Sequence, residues 1–274
     1  MRNFSKSKLL AWRQCAKRLW LEVNRPELRE DSASTQASFQ VGHQVGDIAR
    51  QIYDPNGLGV LIDVQSEGFE AAFARTNSLI KNSTQPIFEA GFCAAGVLAF
   101  ADVMLPVCAS DLCQGQPYKP PSWRMVEVKS STSVKDYHRD DVAVQAFVAR
   151  AAGVPLQQVA LAHINSHWVY PGGGDYRGLL VETDLTDESF ARSGEVKSWI
   201  EKAALTLASS ALPAIEIGAH CTQPFACGFL AWCSQGIVQP THPVCWLPHM
   251  GAKVRTLAEQ GIRYVPLIVA PKNA

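Results

Sequence analysis

The residue types most suited to chemistry lie in the segment WRMVEVK, from Trp123 to Lys129. Its pattern predicts a strand, on which Glu127 and Lys129 share a face because side chains alternate along a strand. A second acid, Asp102, lies inside the apolar run VLAFADVML, and a buried carboxylate requires a partner or a metal ion. Two acids and a lysine on hydrophobic strands therefore predict a site that binds a divalent cation and activates a water molecule.

The predicted metal ligands are hard oxygen atoms. The carboxylates of Asp102 and Glu127 and the backbone carbonyl of Val128 suit Mg²⁺ or Mn²⁺. Such an ion polarises a phosphate oxygen and lowers the pKa of a bound water, which Lys129 would orient. The alternative is an ordinary Glu–Lys pair on a surface strand, because the pattern is short and often arises by chance. The polar helix that follows, with Gln145, favours the metal site.

A second group of candidate ligands is found among the eight cysteines. Cys221, Cys227 and Cys233 recur at intervals of six residues in a segment without regular periodicity. The candidates for a fourth ligand are Cys15, His220 and Cys245. Four such ligands suit zinc or a [4Fe–4S] cluster, and the absence of close C-x₂₋₄-C pairs within this triplet favours iron and sulfur. The alternative is a set of free, buried cysteines.

Length and composition predict a globular protein. The 274 residues suffice for one large domain and part of another, and 47% hydrophobic with 18% charged residues exclude a disordered chain. No apolar run reaches the roughly 18 residues of a membrane span. The N-terminus lacks the apolar core of a secretory signal, so we expect a cytoplasmic protein without a membrane partner.

The N-terminal segment is the polarised part of a chain whose net charge is zero. Residues 1–21 contain basic residues and no acid, and a local basic track can bind phosphate groups even in a neutral protein. The predicted nucleic-acid-binding residues are Lys6, Lys8, Arg13, Lys17 and Arg18. The alternative is a solvated helix face.

Helices and strands are predicted to alternate around these residues. Helices are expected at about 5–22, 34–53, 67–81, 140–152 and 186–208, and strands at about 59–63, 86–93, 97–105, 123–129, 159–169 and 178–185. This order predicts an α/β fold in which a central mixed sheet has helices on both faces.

Taken together, the segments around these residues resemble the PD-(D/E)XK nuclease superfamily. They are SKSKLLAWRQCAKRLWLE, GHQVG, FEAGFCAAGVLAFADVM, MVEVKSSTSVKDYHRDDVAVQAF and the C-terminal cysteine triplet. The resemblance is to the RecB-like branch with an iron–sulfur cluster, which includes AddB-type nuclease domains and CRISPR-associated exonucleases. It covers about residues 4–233.

The resemblance implies a restriction-endonuclease-like core in residues 1–240, with its chain ends joined by a cysteine-ligated cluster. Residues 241–274 would form a C-terminal extension of unknown role that could contact a protein partner. The implied ligands of the [4Fe–4S] cluster are Cys15, Cys221, Cys227 and Cys233, with zinc as the alternative.

The resemblance also implies roles at the acidic site. Asp102 and Glu127 would bind the metal ion together with His43, a further ligand from an early helix, and Lys129 would be the catalytic lysine. Two more residues have implied supporting roles, Glu89 as an acid on the preceding strand and Gln145 as a contact for the lysine or the DNA. The expected function is a Mg²⁺- or Mn²⁺-dependent deoxyribonuclease acting on single-stranded DNA, flaps or free ends. The alternative is a catalytically weak DNA- or protein-binding module on the same fold.

Overall fold

A computed structural model describes residues 3–107 and 122–235 and isolated positions between 243 and 262. The chain divides into two compact units, Met1–Leu230 and Ala231–Ala274. Cys245 and most of the predicted extension 241–274 lie outside the described residues. No helix among the described residues is long and apolar enough to cross a membrane.

Helices and strands alternate through the described residues much as the sequence predicts. The helices are α1 (Lys6–Gln14), α2 (Ala16–Asn24), α3 (Ala33–Tyr53), α4 (Val64–Glu67), α5 (Phe69–Asn82), α6 (Asp136–Ala151), α7 (Thr186–Ala191), α8 (Ser193–Ala208) and α9 (Leu230–Cys233), with 3₁₀ turns at Pro26–Leu28 and Ala219–Cys221. The strands are β1 (Phe4–Ser5), β2 (Val60–Leu61), β3 (Ile87–Ala94), β4 (Val97–Val107), β5 (Ser122–Lys129), β6 (Leu156–Ile164) and β7 (Leu180–Asp184).

The strands of the described residues form one mixed sheet in the order β2-β3-β4-β5-β6-β7, with β1 paired to β4. The pairs β1–β4, β2–β3 and β5–β6 are parallel, and the remaining pairs are antiparallel. The larger hydrophobic cluster covers one face with residues from α1, α2, α5, α6 and α8. The smaller cluster covers the other face, with Tyr53 of α3 packed against it. The predicted α/β fold with a helix-flanked mixed sheet is therefore confirmed.

Strand β5 runs through the middle of this sheet, and its alternating side chains face the two clusters. Trp123 and Met125 lie in the larger cluster, whereas Val126 lies in the smaller one. The indole of Trp123 also donates a hydrogen bond to the carbonyl of Ile80 at 2.9 Å. Burial on both faces fixes the register of the strand, because a slip by one residue would exchange the two faces.

Two predicted helices are each divided in two. The helix expected at 5–22 is interrupted at Cys15, whose backbone is extended (φ −164°, ψ 120°) while its N–H donates to the carbonyl of Ala11. The helix expected at 186–208 is divided at Arg192. Hydrophobic periodicity continues across both breaks, so it does not reveal them.

Candidate active site

The candidate site lies where β4 and β5 separate. The two strands pair from Val107↔Ser122 to Val103↔Val126, and β4 then pairs with β1 instead. Asp102 is the next residue of β4, and its Oδ2 accepts a hydrogen bond from the N–H of Val128 at 2.7 Å. The two predicted acids, Asp102 and Glu127, therefore lie where the strands separate.

Glu89 lies opposite Asp102 on β3. The register places Phe88 beside Val103 and Ala90 beside Ala101, with Glu89 between them. Its φ of 55° lies in the left-handed region, which costs a residue with a Cβ about 1 kcal/mol. Such strain persists where the surrounding structure requires it, and functional sites are a frequent location.

Burial and neighbouring negative charge raise the pKa values of Asp102 and Glu89. Burial raises the pKa of Asp102 well above its usual range, and the neighbouring charge of Glu127 raises it further. The pKa of Glu89 is raised in the same way, by burial and then by Glu127. A concentration of carboxylates of this kind is relieved by a bound cation.

Glu127 is held by one amide and two ammonium groups. Its Oε1 lies 2.6 Å from Nζ of Lys129 and 3.3 Å from Nζ of Lys6, and its Oε2 accepts from Nε2 of Gln145 at 2.5 Å. The predicted shared face of Glu127 and Lys129 is confirmed by this contact. Gln145 contacts the glutamate, whereas the resemblance implied a contact with Lys129 or DNA.

Asp141, from α6, completes the group, and sequence reasoning did not include it. Its Oδ2 lies 2.5 Å from Nζ of Lys129 and its Oδ1 lies 2.7 Å from Nζ of Lys6. Burial alone would raise the pKa of Asp141, but the two lysines hold it well below its usual range. Burial likewise opposes the charge on Lys129, yet Asp141 and Glu127 raise the pKa of that lysine well above its usual value. The available signal was the spacing of Asp141 and Gln145, which places them one turn apart on α6.

Lys6 was assigned only to the basic N-terminal track, and its place beside the acids was not predicted. The four other members of that track have different surroundings. Arg13 pairs with Asp140 at 3.1 Å, Arg18 pairs with Glu22 at 2.9 Å, Lys17 donates to the carbonyl of Ile215, and Lys8 is half-buried. Their role in nucleic-acid binding stays a prediction.

His43 lies on the exposed part of α3. This helix contacts β4 and β5, and His43 is close enough to Glu89 to lower the pKa of that acid slightly. The histidine is therefore near the acids, but its predicted role as a metal ligand stays a prediction.

The predicted cluster ligands of the first unit lie near one another. Cys15 occupies the break between α1 and α2, and the N–H of Cys227 donates to the carbonyl of Cys221 at 2.8 Å. Burial raises the pKa of the Cys227 thiol, and the neighbouring Cys221 and Cys15 raise it further. Cys233 belongs to the second unit.

Within the described part of the chain, no three His, Cys, Asp or Glu side chains are arranged to hold a metal ion. At the acidic site, Lys6, Lys129 and Gln145 contact the carboxylate of Glu127. The donor set nevertheless suits a hard cation, because its atoms are carboxylate oxygens, and neighbouring negative charge contributes to the raised pKa of Asp102 and Glu89. The buried Oε1 of Gln145 has no hydrogen-bond partner among the described residues and could accept one from a hydrated ion.

No protein-family model matches the chain, and no curated protein matches it. Among solved structures, the crystal structure of SSO0001 is similar to 78% of this chain and 80% of its own, with 13% sequence identity and a TM-score of 0.40. An assignment of function must therefore come from the side chains themselves.

Proposed function

We propose that the protein is a metal-dependent DNA nuclease of the PD-(D/E)XK type. The observation that carries the proposal is the placement of Lys129 between the buried carboxylates of Glu127 and Asp141, where β4 and β5 separate beside Asp102. Lys129 is partly buried and its charge lies beside several acids, an arrangement that is frequent at functional sites. Metal-dependent hydrolysis of a phosphodiester can use such a combination of metal-binding acids and a positioned cation.

Mg²⁺ or Mn²⁺ would be held by His43, Asp102, Glu127 and the carbonyl of Val128, with Glu89 as a supporting group. When bound, the ion would lower the pKa of a water molecule and polarise a phosphate oxygen. The N–H of Val128 keeps Asp102 in place, and Gln145 keeps Glu127 in place. The raised pKa of Lys129 keeps it cationic, so that it can donate to the reacting water or to the charge that develops on phosphate.

The proposal includes a structural [4Fe–4S] cluster, with zinc as the alternative metal. Its ligands would be the predicted Cys15, Cys221, Cys227 and Cys233. The mutual proximity of Cys15, Cys221 and Cys227 supports the first three. A protein partner for residues 241–274 and a cytoplasmic location stay predictions.

A catalytically weak binding module on the same fold is the second candidate. It is favoured by the ion pairs of Glu127 and Asp141, which already have cationic partners without any metal ion. The intact set of Asp102, Glu127 and Lys129 favours the enzyme, because a binding module does not require an acid within an apolar strand.

The test is anaerobic purification with iron and zinc analysis, followed by Mn²⁺-dependent digestion of end-labelled single-stranded DNA. We expect cleavage by the native protein and a loss of about 10²–10³-fold for Lys129→Ala, because one stabilising donor is removed. The variant should keep its secondary structure and its melting temperature within a few degrees. A well-folded native protein that leaves DNA intact with both Mg²⁺ and Mn²⁺ would contradict the nuclease and favour the binding module.

A further inference from the structure

The candidate site contains a second lysine that the proposed chemistry does not use. Lys6 reaches both Asp141 (2.7 Å) and Glu127 (3.3 Å), and Lys129 reaches the same two acids at 2.5 and 2.6 Å. The acids are almost fully buried, with side-chain exposures of 7% for Asp141 and 2% for Glu127. Two cations and two acids therefore form a closed square in which each lysine contacts each acid.

The backbone holds Lys6 firmly beside this square. Phe4 and Ser5 pair with Val97 and Leu98 of β4, the strand that carries Asp102. Ser5 then caps α1 by accepting a hydrogen bond from the N–H of Lys8. Lys6 is the first residue of that helix, so its position is fixed from both sides. A lysine held in this way is unlike a solvated surface charge.

Resting on the proposed nuclease function, we propose that Lys6 is a positioning residue that acts as the permanent counter-ion of Asp141. It would allow Lys129 to turn away from Asp141 towards the reacting water without leaving a buried carboxylate unpaired. Each oxygen of Asp141 faces a different lysine, so one pair persists when the other opens. An uncompensated buried charge is strongly unfavourable, which would otherwise hold Lys129 in place.

The square also predicts opposite effects of its two outer members on metal binding. Lys6 competes with a cation for Glu127, so Lys6→Met should tighten Mn²⁺ binding. Asp141 draws both lysines away from Glu127, so Asp141→Asn should weaken Mn²⁺ binding because the lysines then crowd the ligand. This opposition follows from the two charges and shows that both residues act on the bound ion. The positioning role of Lys6 is tested by kcat, which a purely structural ion pair between α1 and α6 would leave near the native value.

The experiment measures Mn²⁺ dissociation constants by electron paramagnetic resonance and kcat for single-stranded DNA cleavage on the full chain. We expect Lys6→Met to lower the dissociation constant about tenfold and Asp141→Asn to raise it about tenfold, given a charge change within a few ångströms of the ion. Both variants should lower kcat by about 10–100-fold. Lys6→Arg should restore most of kcat because it keeps the charge.

Asp140→Asn is the matched control. Asp140 is the adjacent acid of α6 and also pairs with two cations, Arg13 of α1 and Arg192, outside the square. It reports the cost of losing an α1–α6 ion pair, and we expect both measurements to stay within about twofold of the native protein. Melting temperatures of all variants show whether each one is folded.

Shifts of the Mn²⁺ dissociation constant in the same direction for Lys6→Met and Asp141→Asn would overturn the proposal, as would native kcat in Lys6→Met. Failure of the proposed function is a separate outcome. In that case the native protein binds Mn²⁺ but cleaves no DNA, whatever the variants do to the dissociation constant.

Discussion

Glu89 combines an unfavourable backbone conformation with an unfavourable charge. Its φ of 55° suits glycine or asparagine better than glutamate, and burial together with Glu127 raises its pKa. Neither property stabilises the fold. A carboxylate opposite Asp102 is consistent with a ligand or supporting acid for the proposed metal ion.

Substitution of Glu89 separates the two properties. Glu89→Asn and Glu89→Gln both remove the charge, but asparagine tolerates the left-handed conformation and glutamine does not. We expect the asparagine variant to exceed the glutamine variant in free energy of unfolding by about 0.5–1 kcal/mol in urea titrations. Both should weaken Mn²⁺ binding relative to the native protein. Equal stabilities of the two variants would mean that residue 89 carries no backbone strain.

The residues of the site differ in how far sequence could predict them. Asp102, Glu127 and Lys129 were predictable because each breaks an apolar strand pattern. Lys6 was not, because it meets Glu127 across 121 residues of chain and looks like one cation among several in a basic segment. Its role depends on the pairing of β1 with β4, which only two residues form.

At the level of elements, α6 begins at Asp136, four residues before the predicted start. Lys135 precedes the helix and is not a residue that commonly caps one. The ring of His138 supplies the missing contact, since its Nδ1 accepts a hydrogen bond from the N–H of Lys135 at 3.2 Å. This is the arrangement in which a glutamate or glutamine usually serves, so the start is invisible to a search for ordinary caps.

The histidine cap predicts a pH dependence. Burial, and then the charge of Lys129, lowers the pKa of His138 to about 4, whereas an unfolded histidine titrates near 6.5. Between these values the unfolded chain binds more protons than the folded one, so stability falls as the pH falls from about 6.5 to 4. The slope contributed by His138 is at most about 1.4 kcal/mol per pH unit.

Urea titrations at pH 7.5 and 5.5 measure this effect, with His138→Gln as the comparison. Glutamine can accept the same hydrogen bond but does not titrate, so its stability should change less between the two pH values. The native protein should lose about 1 kcal/mol more than the variant over this interval. Parallel losses in both proteins would assign the acid sensitivity to other groups.

At the level of the whole first unit, the N-terminal helices are tied to the last turn of α8 and to the segment that follows it. Trp12 donates to Thr206, Trp20 to the carbonyl of Ser209, and Gln14 to the carbonyl of His220 at 2.6 Å. Cys15, next to Gln14, lies beside these contacts. Such links between distant segments arise from tertiary contacts. The sequence could therefore predict the cysteines as candidate cluster ligands, but not the polar contacts around them.

A metal cluster bound at Cys15 would affect the acidic site through α1. The helix carries Lys6 at its first residue and ends at Gln14, immediately before Cys15.

Substitution Cys227→Ser is expected to lower the iron content of anaerobically purified protein. It should also loosen α1, which is measured as faster amide hydrogen exchange in residues 6–14, with the central strand β5 as the reference. DNA cleavage should then fall because Lys6 is no longer held beside Asp141.

Cys93→Ser is the control, since Cys93 is exposed on β3 and outside the predicted ligand set. If the two serine variants hold equal iron, Cys227 is not a ligand; if Cys227→Ser loses iron while exchange in 6–14 is unchanged, the metal centre does not support α1.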